Sequence, residues 1–469
     1  MKFFVRTYGC QMNVADSNEM GRHLKDRGLA LTENPDEASI MLVNTCTVRH
    51  HAEERAFSEI GRLKKWKAQV PGRKIVLTGC AAERTKQHIE DRFPYIDLVV
   101  GAKSIVEFPS MVEELINRRA TDDELDYAVP ASGDTISSFV TIMRGCNYSC
   151  TYCIVPSVRG REIYQPIDTI LGEVRDRVRE GVREITLLGQ TVNSYHDSSR
   201  NGGNRGRDTD FSDLLEAVAT VDGVERIRFM SPHPYFMTSR VIESMARVQQ
   251  VCESLHLPVQ SGSTSMLKKM ARNYSRDEYL RLIERLRTAM PEMTISTDII
   301  VGFPGETESD FEDTLGVVRA ARFASAFTFK YSPRPGTPAA DLPGQVDKDV
   351  VQDRYDRLIA VVEETALAGN RAVVGSDVQV LVSVGEGRKD GVTGRVSGRA
   401  RDGRLVHVTV GDAEVRPGDV VRATVTYGAP HHLMADGGII EHRHWRGREV
   451  ANRPEPAAGR RLLPLTART

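Results

Sequence analysis

The 469-residue sequence has no long apolar run and almost no net charge. No apolar run approaches the ~20 residues that cross a bilayer, so we predict no membrane partner. The N-terminal segment MKFFVRTYGC has too short an apolar run for a secretory signal and fits a first strand, and we expect a cytoplasmic protein. The formal net charge of −1 gives no overall attraction to nucleic acid, which leaves only a local basic face for such binding.

Cysteine is also scarce, with seven residues in the chain. A large chain without a secretory signal is not expected to use them as a disulfide framework, and metal binding or catalysis is the better interpretation of clustered cysteines. Cys252 stands alone beside apolar neighbours and is predicted to be a buried structural thiol. The other six are Cys10, Cys46, Cys80, Cys146, Cys150 and Cys153.

The length predicts about three domains, and residues 1–118 form the first. Its short apolar runs alternate with polar, periodic stretches, a pattern that predicts a parallel sheet covered by helices; the runs are FFVRTYG, SIMLVN, KIVLTG and DLVVGA. Cys10, Cys46 and Cys80 each come just after one of the first three runs. Because the carboxyl ends of such strands line a ligand crevice, we predict that the three cysteines converge on one site. The alternative is three buried thiols that only fill space.

A polar, acidic linker at residues 121–134 precedes the second domain, residues 132–366. Six strand-then-helix units predict a partial or complete parallel (β/α) barrel, with strands FVTIM, EITLLG, RIRFM, SLHLPV, MTISTDIIV and AFTFKY. Such barrels carry their chemistry on loops at the carboxyl ends of the strands. Cys146, Cys150 and Cys153 directly follow the first strand, so they are predicted to lie there.

Residues 367–440 change to an all-β pattern of short strands and glycine-rich turns, DVQVLVSV, GVTGRV, RLVHVTV and DVVRATVTY. The pattern predicts a small barrel of oligonucleotide-binding type, or a module used only for packing. Residues 441–469 are rich in arginine and proline and are predicted to be a disordered tail. We expect no metal site among the histidines of this region, because none has a cysteine or acidic partner at ligand spacing; they are His431, His432, His442 and His444.

The stretch GCNYSCTYC, residues 145–153, holds three cysteines at Cys-x3-Cys-x2-Cys spacing without a fourth ligand nearby. A 4Fe–4S cluster on three thiolates has one iron open to a substrate or cofactor, whereas simple electron transfer favours four protein ligands. Zinc is the competing interpretation, but it needs a fourth ligand, or a water with an acid–base residue, and neither is evident between Met143 and Arg161. The open iron therefore favours a catalytic role over simple electron transfer.

This spacing, with Tyr152 before the last cysteine and a position after the first strand of a barrel, resembles the radical S-adenosylmethionine superfamily. The resemblance implies that the open iron binds the amino-acid end of S-adenosylmethionine. It also implies that an electron from the cluster cleaves this cofactor to a 5′-deoxyadenosyl radical, which attacks C–H bonds that acids and bases cannot break.

Further motifs recur in the same order in the methylthiotransferases, and among them in the tRNA-2-methylthio-N(6)-dimethylallyladenosine synthases. They are TYGCQMN, VNTC, LTGC, MRGCNYSCTYCIVPSVRGRE, LLGQTVNSY, LHLPVQSGS and STDIIVGFPGET. The resemblance covers nearly the whole chain up to the tail. It implies a second 4Fe–4S cluster on Cys10, Cys46 and Cys80, with an open iron that holds sulfur, and a C-terminal TRAM domain that contacts RNA.

The same resemblance implies that a methylthio group is added to carbon 2 of N(6)-dimethylallyladenosine beside the anticodon, on its 3′ side, with two S-adenosylmethionine molecules per turnover. The implied partners are tRNA and an electron donor such as a flavodoxin or ferredoxin, and we expect a monomer. An unpaired anticodon-loop base is one that a protein can stack and read.

Polar residues at strand ends are weaker candidates for contacts with S-adenosylmethionine. The turn LLGQTVN has an amide, Gln190, where many superfamily members have a glutamate for the methionyl amine. The cofactor candidates are Tyr152, Gly189, Gln190, Asn193, Gln260, Ser261 and Asp298, and satisfied loop hydrogen bonds are the alternative for the polar ones. Arg159 and Arg161 are candidates for RNA contacts, or are simply solvated, and Glu306 is predicted to cap the next helix.

Two other functions stay open at this point. Related enzymes methylthiolate threonylcarbamoyladenosine in tRNA or an aspartate of a ribosomal protein, but MRGC and VRGRE around the cysteine triplet favour the dimethylallyladenosine group. A non-catalytic iron–sulfur protein that binds RNA or senses redox state is the alternative from another class.

Overall fold

The computed structural model describes residues 1–47, 50–116, 136–198, 209–387 and 389–444. The predicted linker at residues 121–134 lies outside these ranges. Within them, no helix is long and apolar enough to cross a membrane. Three structural regions follow one another along the described residues.

The N-terminal region is a five-stranded, fully parallel sheet with strand order β2-β1-β3-β4-β5. Alternate residues of its strands face opposite sides, so Leu42 packs on α1 and α4 while Val43 packs on α2 and α3. The elements are β1 (Lys2–Thr7), α1 (Gln11–Lys25), β2 (Ala30–Leu31), β3 (Ile40–Thr45), α2 (His50–Gln69), β4 (Lys74–Gly79), α3 (Cys80–Arg92), β5 (Leu98–Gly101) and α4 (Phe108–Ile116).

The central region is a partial barrel of six parallel strands. Two three-stranded sheets are joined by a parallel bridge between Ile227 and Val251. The elements are β6 (Ser137–Thr141), β7 (Met143–Arg144), α5 (Val155–Arg159), β8 (Ile163–Tyr164), α6 (Ile167–Arg179), β9 (Glu184–Leu188), β10 (His196–Asp197), β11 (Thr209–Asp210), α7 (Phe211–Ala219), β12 (Arg226–Phe229), α8 (Ser239–Arg247), β13 (Ser254–His256), α9 (Thr264–Lys269), α10 (Arg276–Ala289), β14 (Thr294–Val301), α11 (Glu308–Ala321), β15 (Ser325–Lys330) and α12 (Lys348–Arg371).

The C-terminal region is one mixed seven-stranded sheet around a single apolar core. Its order is β20-β21-β18-β17-β16-β19-β22, and only the β18–β21 pair is parallel. The elements are β16 (Asp377–Val382), α13 (Asp390–Thr393), β17 (Arg395–Ala400), β18 (Leu405–Thr409), β19 (Val420–Thr424), β20 (Tyr427–Gly428), β21 (Leu433–Ala435) and β22 (Glu441–Arg443).

Three sequence-based expectations for this region change. The predicted strand GVTGRV is a short helical turn, α13, followed by the first residues of β17, because Gly394 has a left-handed backbone that ends the turn. A closed oligonucleotide-binding-type barrel is not seen among the described residues, where β20 and β22 remain the two edges. The predicted tail begins too early, since Glu441–Arg443 pair with β19; residues 445–469 lie outside the described ranges.

The C-terminal sheet packs against the amino ends of the barrel strands. Arg226 and Arg228 in β12 donate hydrogen bonds to backbone carbonyls of residues 399–401, and Arg401 pairs with Glu253 at 2.8 Å just before β13. This end is therefore closed by arginine contacts, and the carboxyl ends of the strands remain available for the cysteine loop.

Candidate active site

The triplet loop carries Cys146, Cys150 and Cys153 between β7 and α5. The start of the loop is tied to the residue that follows α5, because Cys146 N donates to the carbonyl of Gly160 at 3.1 Å. Gly145 has a φ of +80°, and a Cβ there would collide with the backbone of Arg161. Only glycine suits this position, so the sequence sets the loop's starting geometry.

The middle of the triplet loop reaches across to the far half of the barrel. Thr151 N donates to Met270 O at 3.2 Å, and Ala339 N donates to Thr151 O at 2.8 Å. The ring of Tyr152 packs beside Met266 and Phe303. Burial raises the pKa of Tyr152, so its phenol stays neutral while its ring anchors the loop.

Burial raises the pKa of the Cys146 thiol and raises that of Cys153 to about 12, so metal binding must remove these protons. A cation lies beside Cys150, the remaining thiol of the triplet. Arg272 Nη1 donates to Cys150 Sγ at 3.5 Å, and Arg272 Nε donates to the Tyr274 hydroxyl at 3.0 Å. The sequence around Arg272, LKKMARNY, carries no motif that indicates this contact.

The structure brings Cys10, Cys46 and Cys80 together at the carboxyl edge of the N-terminal sheet, as predicted. The Cys46 side chain hydrogen-bonds the Cys10 sulfur and lowers the pKa of Cys10 below that of an ordinary thiol. Burial raises the pKa of Cys80, and the nearby Cys10 charge adds to the effect. Gly9 and Gly79, both with positive φ, allow the chain to turn just before Cys10 and Cys80.

Arg159 corrects a sequence-based expectation, because it is buried and cannot reach RNA or bulk water. Its Nη2 donates to Asp16 Oδ2 at 2.9 Å. Burial by itself lowers the pKa of Arg159, but Asp16, Cys80 and Cys10 outweigh this and raise it. A cation from the barrel therefore lies against the N-terminal cysteines. Arg161 is exposed, and its RNA contact stays a prediction.

The N-terminal region covers the carboxyl end of the barrel. Met12 of α1 packs in one apolar cluster with Leu188 and Phe139, and Cys80 packs with Ile154 and Val158 beside the triplet. On the other side, Arg334 after β15 donates to the carbonyl of Thr47, next to Cys46, at 3.0 Å. The two cysteine sites thus lie at the same end of the barrel.

The turn after β9 contains three of the predicted cofactor residues, and their surroundings differ. The buried Gln190 Oε1 has no hydrogen-bond partner within the described chain. Asn193 instead clamps the backbone of His233, with Nδ2 donating to its carbonyl at 2.9 Å and Oδ1 accepting from its N–H at 2.8 Å. The structural alternative therefore applies to Asn193. Gly189 lies where a Cβ would collide with Met143.

The predicted cofactor residues at the later strand ends also differ in their surroundings. Ser261 is fully buried and accepts a hydrogen bond from Ser263 N at 3.2 Å, which favours the structural alternative over the predicted cofactor contact. Gln260 has a left-handed backbone with φ of +69°, a conformation that costs a non-glycine residue about 1 kcal/mol or more. Asp298 is partly exposed beside His256 Nε2 at 3.4 Å. Glu306 does not cap a helix but accepts from Gly302 N and pairs with Arg354.

The donor sets fit polynuclear clusters better than single zinc ions. Zinc binds sulfur at about 2.3 Å, so its sulfurs lie within about 4.6 Å of one another. Across the described residues, the one group of three His, Cys, Asp or Glu with ligand atoms within 4.8 Å is Asp419, His442 and His444. Neither cysteine triad is drawn together that closely. The histidines do have an acidic partner that we did not find in the sequence, with His442 Nε2 at 2.8 Å from Asp419 Oδ2.

Comparisons with known proteins agree with this arrangement. Residues 140–318 match the Radical SAM superfamily, and residues 2–101 match a family described as Uncharacterized protein family UPF0004. The fold resembles a radical S-adenosylmethionine methyltransferase from Kitasatospora setae, with a TM-score of 0.53 and 13% identity over 72% of this chain and 74% of that one. The fold and the three-cysteine loop define a radical S-adenosylmethionine protein.

Two curated relatives identify the family within this superfamily. The tRNA-2-methylthio-N(6)-dimethylallyladenosine synthase of Mycobacterium bovis is 48% identical over 99% of this chain and 93% of its own length. The protein of the same name from Frankia alni is 48% identical over 97% of this chain and 93% of its own. The chain belongs to the tRNA-2-methylthio-N(6)-dimethylallyladenosine synthase family.

Proposed function

We propose that this protein converts N(6)-dimethylallyladenosine, on the 3′ side of the anticodon in tRNA, to its 2-methylthio derivative. The observation that carries the proposal is the placement of two three-cysteine sites at one end of the barrel, with the buried Arg159 beside the N-terminal one. Both relatives described above bear the name of this activity.

Carbon 2 of adenine carries an unactivated C–H bond, which side-chain acids and bases do not break. When bound, two 4Fe–4S clusters and S-adenosylmethionine supply the radical and the sulfur that this bond requires. Cys146, Cys150 and Cys153 would hold the cluster that binds S-adenosylmethionine. The N-terminal site of Cys10, Cys46 and Cys80 would hold the second cluster.

The protein's own groups orient the reactants and limit access of water. The unpartnered Gln190 Oε1 is suited to accept a hydrogen bond from the methionyl ammonium, in the role that a glutamate has in many superfamily members. Arg272 places a positive charge next to Cys150, and Arg159 does the same for Cys80. The apolar contact of Met12 with Leu188 excludes water between the two domains.

Nucleoside analysis of tRNA tests this function. A strain that lacks the gene should accumulate N(6)-dimethylallyladenosine and lose its 2-methylthio derivative, measured by liquid chromatography and mass spectrometry. The wild-type gene and a Cys252→Ser variant should restore the derivative, because Cys252 is buried beside Arg226 and Arg228, at the amino ends of the barrel strands. Normal derivative in the deletion strain contradicts the proposal, and selective loss of methylthiolated threonylcarbamoyladenosine supports the related enzyme instead.

The finer features of the reaction belong to the same proposal. We infer that two S-adenosylmethionine molecules are used per turnover, that a flavodoxin or ferredoxin supplies electrons, and that the protein acts as a cytoplasmic monomer. The C-terminal sheet would act as a TRAM domain and hold tRNA backbone. Formation of 5′-deoxyadenosine by the anaerobically reconstituted protein separates this enzyme from a non-catalytic RNA-binding protein, which forms none.

A further inference from the structure

The second half of the barrel has two chemically different faces. On β14, the buried side chains of Ile295, Ile299 and Val301 point to the surrounding helices and belong to the main apolar core. Ser296, Asp298 and Ile300 alternate with them, so they face the barrel interior. The interior face is therefore the partly polar, partly accessible one.

Two phenylalanines lie on this interior face and are not covered. In the parallel pairing of β14 with β15, Phe327 lies opposite Asp298 and Phe329 lies opposite Ile300, so both rings share the interior face. They are 40% and 39% exposed. A soluble protein usually buries such rings, and two adjacent exposed aromatics inside a barrel indicate a surface for a ligand.

The position of these rings relates them to both cysteine sites. Ile300, beside Phe329, belongs to the apolar cluster that contains Tyr152 of the triplet loop. On the opposite wall, Met12 of α1, two residues after Cys10, packs against Leu188 and Phe139. The N-terminal region thus covers the first half of the barrel interior. The interior face of the second half that carries Phe327 and Phe329, here called the phenylalanine wall, remains accessible.

We propose that Phe327 and Phe329 form the surface that holds the dimethylallyl-modified adenine of the tRNA. A purine stacks on aromatic rings, and the dimethylallyl group adds an apolar surface that the adenine of S-adenosylmethionine lacks. Phe327 also packs edge-on to His256, with ring centroids 5.7 Å apart, and His256 pairs with Asp298. This pair offers hydrogen-bonding groups next to the apolar wall.

This inference rests on the proposed function and deepens it, because it names residues that select the modified base. The test uses the anaerobically reconstituted full-length protein and two anticodon stem–loop RNAs, one with N(6)-dimethylallyladenosine and one with adenosine at the same position. The readout is the ratio of the two dissociation constants, measured by fluorescence anisotropy. Binding is thereby separated from turnover.

Phe327→Ala and Phe329→Ala should each weaken binding of the modified RNA about ten-fold and that of the unmodified RNA less, because the unmodified adenine loses only its stacking. Phe329→Tyr should keep most of the discrimination, since it retains an aromatic ring. Val70→Ala is the control: Val70 is an exposed apolar residue just after α2, at the amino edge of the N-terminal sheet, and this variant should keep the wild-type ratio.

The contrary results are distinct. An unchanged ratio in both alanine variants overturns the inference, as does weaker binding of S-adenosylmethionine with unchanged RNA discrimination, which would assign the wall to the cofactor. If the wild-type protein makes no 2-methylthio product in cells, the proposed function fails. If it makes the product and the variants discriminate normally, only the inference fails.

Discussion

Arg159 of the barrel and Asp16 of the N-terminal region form a buried ion pair, with Nη2 and Oδ2 2.9 Å apart. Arg144 contacts the same carboxylate, so two barrel cations converge on one acid of α1. Burial alone raises the pKa of Asp16, but the two arginines outweigh it and hold the pKa below its ordinary value. The pair therefore joins the region of one cysteine site to that of the other.

Asp16→Asn should destabilise the protein by about 3–5 kcal/mol, because it leaves the buried Arg159 without its carboxylate and leaves Arg144 with Glu19 alone. Urea unfolding of the full chain measures the free energy of unfolding. Glu37→Gln is the control, since Glu37 pairs with Lys2 at the surface and its change should leave the free energy of unfolding close to that of wild type. A loss below 1 kcal/mol for Asp16→Asn would show that the pair is not a structural link.

The sequence predicts the two cysteine sites because both depend on local order along the chain. Each N-terminal cysteine follows a strand of a parallel sheet, and parallel strands end at one edge. The triplet follows the first barrel strand, so it lies at the carboxyl end of the barrel by the same rule. Strand periodicity and strand order were thus enough to place all six thiols.

The sequence did not predict the environment of the arginines. Arg159 lies in a glycine-flanked polar segment, VRGRE, which has the composition of a surface loop. Its burial depends on α1 docking onto the barrel, a contact between residues 143 positions apart. Arg272 similarly meets Cys150 from 122 positions away. Such pairs follow from tertiary docking, which periodicity does not encode.

Cys150→Ala and Cys46→Ala should separate the two clusters. The wild-type protein should hold about eight irons after anaerobic reconstitution and each variant about four, since each removes a ligand of one cluster. Cys150→Ala should form no 5′-deoxyadenosine, whereas Cys46→Ala should still form it and lose sulfur insertion. Iron assay and product chromatography measure both effects, and equal cleavage by the two variants would refute this division.

Arg272→Gln should lower the reduction potential of the cluster held by the triplet. The change removes a charged donor to Cys150 Sγ, and fewer hydrogen bonds to cluster sulfurs make reduction harder. A redox titration followed by electron paramagnetic resonance measures the potential, in a Cys46→Ala background that keeps only this cluster. Arg319→Gln, on the exposed side of α11, is the control and should leave the potential unchanged. An unchanged potential in Arg272→Gln would argue against this role.

His233 should make the protein less stable in mild acid. Burial and the nearby Arg272 lower the pKa of His233 to about 3, and its ring stacks on Tyr148 with centroids 5.0 Å apart. The unfolded chain binds a proton near pH 6.5 and the folded chain does not, so stability from this residue falls as the pH drops below about 6.5 and levels off near the folded pKa. Between pH 7 and pH 5, the free energy of unfolding of His233→Gln should therefore fall by about 2 kcal/mol less than that of wild type. Urea unfolding of the metal-free full chain measures it. Parallel pH curves for wild type and His233→Gln would show that the folded protein binds a proton at His233 as readily as the unfolded chain does, which would contradict this prediction.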